Sequence, residues 1–178
     1  MLKNTTERYG FPARALHWLM AVLIVLLFLV GLTMGLPEKG SWLRDTMKDG
    51  HVNIGVLTFV LLLVRAIWRQ VNPIPVAGLT PLNAKLAHWG HVLLYILMGL
   101  LMLAGIGIVI TRSGPTALWW GFSLPGFGGS LHRTLEEVHE VLAWSLITVS
   151  AGHVVMAVVH KLQGDLSQRG MLRRGGNS

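Results

Sequence analysis

The stretch that decides the fold runs from His139 to His153 and reads HEVLAWSLITVSAGH. It lies within an apolar run from about Val138 to His160, long enough for the roughly 20 residues that a membrane-spanning helix needs. The two histidines are 14 residues apart. On an α-helix that interval is about 21 Å of rise and a return to within about 40° of the starting face. One face of one helix therefore offers two imidazoles, one near each surface of a bilayer.

Three more apolar stretches lie upstream, at about Ala15–Leu36, His51–Trp68 and Leu86–Thr111. The first is too long for a signal-peptide core and lacks a small-residue cleavage site, so it is read as retained. The connections carry Gly35, Pro37 and Gly40, then Asn72-Pro73 with Pro75 and Pro81, then Ser113-Gly114-Pro115 and Pro125-Gly126-Phe127-Gly128-Gly129. Proline and glycine in these places end helices and turn the chain. The expectation is an all-α, transmembrane four-helix bundle formed by residues 1–178 as one domain.

Composition agrees with that class. The chain is 52% hydrophobic and 13% charged, whereas soluble domains carry roughly 25% charged residues. A soluble enzyme is excluded. There are no cysteines, which removes disulfides, iron–sulfur ligation, thioether-attached haem and thiol nucleophiles. The formal net charge is +7, and its distribution argues for membrane orientation and against nucleic acid. With four spans, ten of the 15 Lys and Arg residues fall on the side of the two termini: Lys3, Arg8, Arg14, Arg65, Arg69, Lys85, Lys161, Arg169, Arg173 and Arg174. The positive-inside rule then puts both termini in the cytoplasm.

The histidines fall at two depths under this topology. His17 and His153 lie toward the cytoplasmic side, His51 and His139 toward the opposite side. Two opposed imidazoles held between membrane helices suit a haem iron, and two haems across a bilayer need centres about 20 Å apart, within its roughly 30 Å hydrocarbon thickness. Ligation by two histidines leaves no open position for oxygen, which favours electron transfer. Arg65 follows His51 by the same 14 residues and reaches the inner depth on nearly the same face. An arginine in lipid is costly and faces the bundle interior with a partner; a haem propionate matches its fork. The eight methionines read as packing residues, because histidines are present at both depths.

The run Tyr9-Gly-Phe-Pro-Ala-Arg14-Ala-Leu-His17-Trp18, with His51, Leu86-Ala-His88-Trp-Gly-His91, His139 and His153, resembles the bacterial cytochrome b561 family over nearly the whole chain. The resemblance implies a small dihaem protein of the bacterial inner membrane with two haem b groups and axial His17, His51, His139 and His153. It is closest to the stand-alone branch that passes electrons from superoxide to ubiquinone. It also implies a quinone site near His91 and His160, where a histidine relays the protons that quinone reduction takes up.

Other residues have open readings. His88 and His91, three apart, share a helix face; either is a quinone candidate or a replacement for His17 as ligand. Arg14 is a membrane anchor or a second propionate contact. Arg112, His132 and Arg133 frame the last loop as candidates for steering an anion such as superoxide, although Glu136 and Glu137 weaken that field. The rival functions are a haem subunit that relays electrons for a partner dehydrogenase, and a histidine-lined metal transporter. Clustering of the histidines at two depths disfavours the transporter.

Overall fold

The computed structural model describes residues 1–5, 8–75 and 81–162, so Arg169, Arg173 and Arg174 lie outside the described residues. It contains α1 (Phe11–Thr33), α2 (Trp42–Val71), α3 (Pro81–Ile110) and α4 (His132–Leu162). Between α3 and α4 lies a short antiparallel ladder of β1 (Thr116–Ala117) and β2 (Ser123–Leu124). All four helices are long and apolar enough to cross a membrane. The expected four-helix all-α architecture is present.

Local sequence accounts for the helix ends. Pro12 stands in the first turn of α1, where a missing N–H costs nothing. Ser41 caps α2, its hydroxyl accepting from the Arg44 amide at 3.3 Å. Pro81 opens α3. Thr33 closes α1 with its hydroxyl on the Leu29 carbonyl at 2.8 Å.

The helices and the apolar stretches differ in extent, for a physical reason. α2 begins at Trp42, ahead of His51, and α4 begins at His132, ahead of Val138. Hydropathy reports only the part of a helix inside hydrocarbon, and the 30 residues of α2 make about 45 Å of helix, more than the roughly 30 Å of a bilayer core. The surplus turns carry polar residues into the headgroup layer. α1 is the opposite case, ending at Thr33 before Gly35 and Pro37 turn the chain.

Packing divides the bundle into two antiparallel hairpins, α1 with α2 and α3 with α4, joined mainly through α2 and α3; α1 and α4 touch little. Met20, Leu62, Met98, Leu101 and Leu146 form the common core. Leu146 is 2% exposed and stands midway between His139 and His153 along α4. Much of the remaining apolar surface faces outward, Val22 being 62% and Val155 59% exposed. An apolar surface that continuous needs lipid around it.

Candidate functional site

The two ends of the bundle each bring histidines together across the seam between the hairpins. At the end carrying the β-hairpin, His51 of α2 faces His139 of α4, ring centres 6.2 Å apart and planes 72° apart. At the N-terminal end, His17 of α1 faces His153 of α4, with centres 6.3 Å apart and planes 78° apart. α4 supplies one histidine to each pair because it runs unbroken from His132 to Leu162.

These separations test what the pairs can hold. Imidazole nitrogens bind first-row metals at about 2.0–2.1 Å, with the ring centre about 1.1 Å behind the nitrogen, so two rings flanking one ion have centres about 6.2–6.4 Å apart. Both pairs meet that requirement. His91 of α3 also approaches His153, but at 5.3 Å, too close for an ion between them. Among the described residues there is no cluster of three or more His, Asp or Glu side chains suited to a metal ion. The donor set therefore fits an ion whose other ligands come from a planar macrocycle.

The hairpin-end pair is held by close backbone approach. His139 Nδ1 donates to the Leu101 carbonyl at 3.0 Å. A carbonyl only accepts, so Nδ1 carries the proton and Nε2 keeps its lone pair for a metal. A Cβ on Gly105 would lie 3.2 Å from His139 Cε1, and one on Gly31 would lie 3.4 Å from His51 Cε1. Glycine at both places lets α3 and α1 pass close behind the rings. The Leu27 carbonyl lies near the His51 ring, yet His51 Nδ1 is buried without a hydrogen bond of good geometry, as is His17 Nδ1.

The N-terminal end is the more crowded. Arg65 lies within electrostatic reach of His17, His91 and His153. Arg65 and Arg69, one turn apart on α2, both stack over the Tyr95 ring, at 5.8 and 5.5 Å. Tyr9, Arg65, Arg69, His91 and Tyr95 line one cleft. The N-terminal arm closes it. Asn4 donates to the Pro73 carbonyl at 3.0 Å and accepts from the Gly10 amide at 2.9 Å. Burial raises the Tyr9 hydroxyl above its ordinary pKa, against the opposing pull of Arg69 and Arg65, so it stays a neutral donor.

His91 Nδ1 bonds the Ala87 carbonyl at 2.6 Å, which leaves Nε2 of the neutral ring as an acceptor. His91 thus suits proton uptake better than donation to a carbonyl. His160 and Arg14 are half-buried. His88 is exposed beside Trp89, ring centres 5.5 Å apart, and does not join the histidine pairs.

At the other end the three steering candidates separate. Arg133 pairs with Glu137 at 3.1 Å and His132 with Glu136 at 3.4 Å. Arg112 is exposed and makes no ion pair among the described residues. Exposed pairs one turn apart are worth only about 0.3–0.5 kcal/mol, but the Glu137 carboxylate offsets the field of Arg133.

Sequence reasoning alone left out Arg69, Tyr95 and Asn53 as site residues. The first two stand one turn from Arg65 and His91, a spacing readable in advance. Asn53, 1% exposed, had no such signal.

Comparison with known proteins agrees with this architecture. Residues 8–174 match the family described as prokaryotic cytochrome b561. The chain is 31% identical to cytochrome b561 homolog 2 of Escherichia coli (strain K12), over 88% of this chain and 86% of that protein. It is 26% identical to the probable superoxide oxidase CybB of Yersinia pestis, over 86% and 89%. To cytochrome b561 homolog 1 of Escherichia coli (strain K12) it is 27% identical, over 86% and 90%. A bundle of four membrane-crossing helices with histidines meeting across its seam, matched by family over nearly its full length, makes this chain a member of the prokaryotic cytochrome b561 family of haem b-binding membrane electron-transfer proteins.

Proposed function

We propose that this protein is a dihaem cytochrome of the bacterial inner membrane that oxidises superoxide at its outer face and reduces ubiquinone within the membrane. The observation that carries the dihaem reading is the pair of imidazole separations, 6.2 and 6.3 Å, at opposite ends of one bundle, and the choice of superoxide is supported by the likeness to the probable superoxide oxidase CybB. His51 and His139 would hold one haem b, and His17 and His153 the other. Haem b with two histidine ligands supplies reversible one-electron transfer without an open coordination position.

The residues around the pairs do the rest. His139 is oriented by the Leu101 carbonyl, and Leu146 and Met20 exclude water between the two ends. Arg65, with Arg14 three residues before His17 in sequence, balances propionate charge at the N-terminal end. Two superoxide anions give up one electron each and leave as oxygen; ubiquinone gains two electrons and two protons. Superoxide oxidation releases a neutral gas, so no proton donor is needed at the outer face. Proton uptake falls to His91 and His160, with Tyr9 as a further neutral donor in the same cleft. His88 is exposed and does not line the cleft that holds Tyr9 and His91. Of the three steering candidates, Arg112 makes no ion pair among the described residues, whereas Arg133 is paired with Glu137. The distribution of Lys and Arg supports a topology with both termini in the cytoplasm.

The test is to mix oxidised protein with enzymatically generated superoxide and follow the reduced-haem absorption. Reduction abolished by superoxide dismutase is expected; reduction absent, or unaffected by the dismutase, would overturn the donor assignment and leave a relay subunit for a partner dehydrogenase. A steric prediction accompanies it. Gly105→Val should at least halve haem retention at the hairpin end and spare the N-terminal site, because the added side chain meets the His139 ring. Pyridine haemochrome titration reads the difference, and full haem content in the variant would contradict the close approach.

A further inference from the structure

The segment between α3 and α4 is a folded cap. Its base is closed by main-chain bonds, Phe127 N to Ile110 O at 2.8 Å and Gly128 N to Arg112 O at 2.9 Å. Thr111 Oγ1 and His132 Nδ1, 3.1 Å apart, join its two ends. Its tip reaches the other helical hairpin. It crosses to α2, where the Trp119 amide donates to Asn53 Oδ1 at 2.8 Å across 66 residues of chain.

Asn53 is 1% exposed and lies two residues beyond His51. An amide buried in a membrane helix is tolerated only when both of its polar atoms are satisfied. Here Nδ2 donates to the Asp49 carbonyl at 2.8 Å, and Oδ1 takes the Trp119 amide. The side chain is therefore spent on one tertiary contact that bridges the two helical hairpins. The cap leaves α3 seven residues beyond Gly105, which stands against the His139 ring, and is pinned to α2 two residues beyond His51, so it closes the end of the bundle at which those two rings meet. Leu118, 5% exposed, packs inward next to the pinned residue.

We propose that Asn53 is a positioning residue whose side chain latches the 112–131 hairpin across the His51–His139 pair, so that the hairpin limits which water-borne electron donors reach that end of the bundle. Small anions pass and bulky donors are held away. The latch follows from the hydrogen bonds alone; its effect on donor choice rests on the haem reading above.

Asn53→Ser tests it with little risk to folding. A serine too short to reach Trp119 satisfies itself on the carbonyl four residues back, as Thr58 does with Ile54 at 2.7 Å and Ser145 with Val141 at 2.7 Å in this bundle. Hydrogen exchange of the full-length protein in lipid nanodiscs should show the Trp119 amide exchanging at least about fivefold faster, with the Thr58–Leu62 segment unchanged. Trp119→Phe should leave that exchange as it is, because the bond uses the main chain. On the same samples, the ratio of outer-haem reduction rates by photoreduced flavin mononucleotide and by dithionite should rise at least threefold in Asn53→Ser. Unchanged Trp119 exchange, or faster exchange spread equally through the helices, would overturn the latch. Faster exchange at Trp119 with a constant reductant ratio would overturn the role in donor choice. A protein that binds no haem would instead refute the haem reading, while the exchange result still decides the latch.

Discussion

Replacing His139 by alanine is expected to leave a protein that holds one haem b in place of two. The imidazole of His139 faces His51 at the hairpin end and bonds the Leu101 carbonyl, so its loss removes one member of that pair and leaves the histidines at the other end in place. Haem per protein, read by pyridine haemochrome, should fall by about half, and His51→Ala should give the same result. The complementary variants His17→Ala and His153→Ala should lose the other haem and keep the hairpin-end one.

His91→Ala sharpens the test. His91 stands closer to His153 than His17 does, 5.3 against 6.3 Å, so proximity alone would choose His91. The spacing needed around an iron chooses His17. Two haems retained in His91→Ala, with one lost in His17→Ala, is the expected pattern. The reverse pattern would reassign the ligand, and full haem content in His139→Ala would refute the pairing altogether.

The second large effect is expected at Arg65. Its guanidinium lies within electrostatic reach of His17, His91 and His153 and is stacked on Tyr95. A positive charge near a haem favours the reduced state, which carries one less positive charge. A unit charge about 9 Å away at an effective dielectric constant near 20 is worth about 2 kcal/mol. For one electron that is roughly 80 mV. Arg65→Met keeps the length and packing of the stem, removes the charge, and should lower the reduction potential of the N-terminal-end haem by that order. The hairpin-end haem, on the far side of Leu146 and Met20, should shift much less. Redox titration resolves the two. Equal shifts at both ends, or none, would show that Arg65 does not act on the inner pair.

Not all of the basic residues at that end have the same consequence. Arg69 shares the Tyr95 ring with Arg65, and two cations one turn apart repel by a few tenths of a kcal/mol on an exposed helix. Their stacking on one aromatic face, in a cleft with Tyr9 and His91, offsets part of that cost. Anionic groups placed there would offset more. The arrangement explains why charge at this end is concentrated on one face of α2 and not scattered around it.

Much of this protein was legible before any coordinates. Four apolar stretches and proline- and glycine-rich turns sufficed for the bundle, because a span in lipid must satisfy its backbone internally and so must be helical. The interval between His139 and His153 sufficed for two depths on one face, because an unbroken helix converts residue counts into rise and angle. Arg65 was found by the same arithmetic. The resemblance to the family rested on those residues and held over nearly the whole length.

What periodicity could not supply were contacts between elements distant in sequence. Whether His17 or His91 opposes His153 depends on how far two helices stand apart, which no spacing within one helix encodes. Pairing of His132 with Glu136 and of Arg133 with Glu137 was visible as a spacing of four, yet the exposure of Arg112 depends on how the hairpin folds. The Asn53–Trp119 bond joins residues that no pattern links, and only the tertiary arrangement turns a glycine-rich loop into a cap pinned across the bundle. Helical geometry is local and repeats along the chain; the seam between helices is a product of packing, and it is there that the functional groups meet.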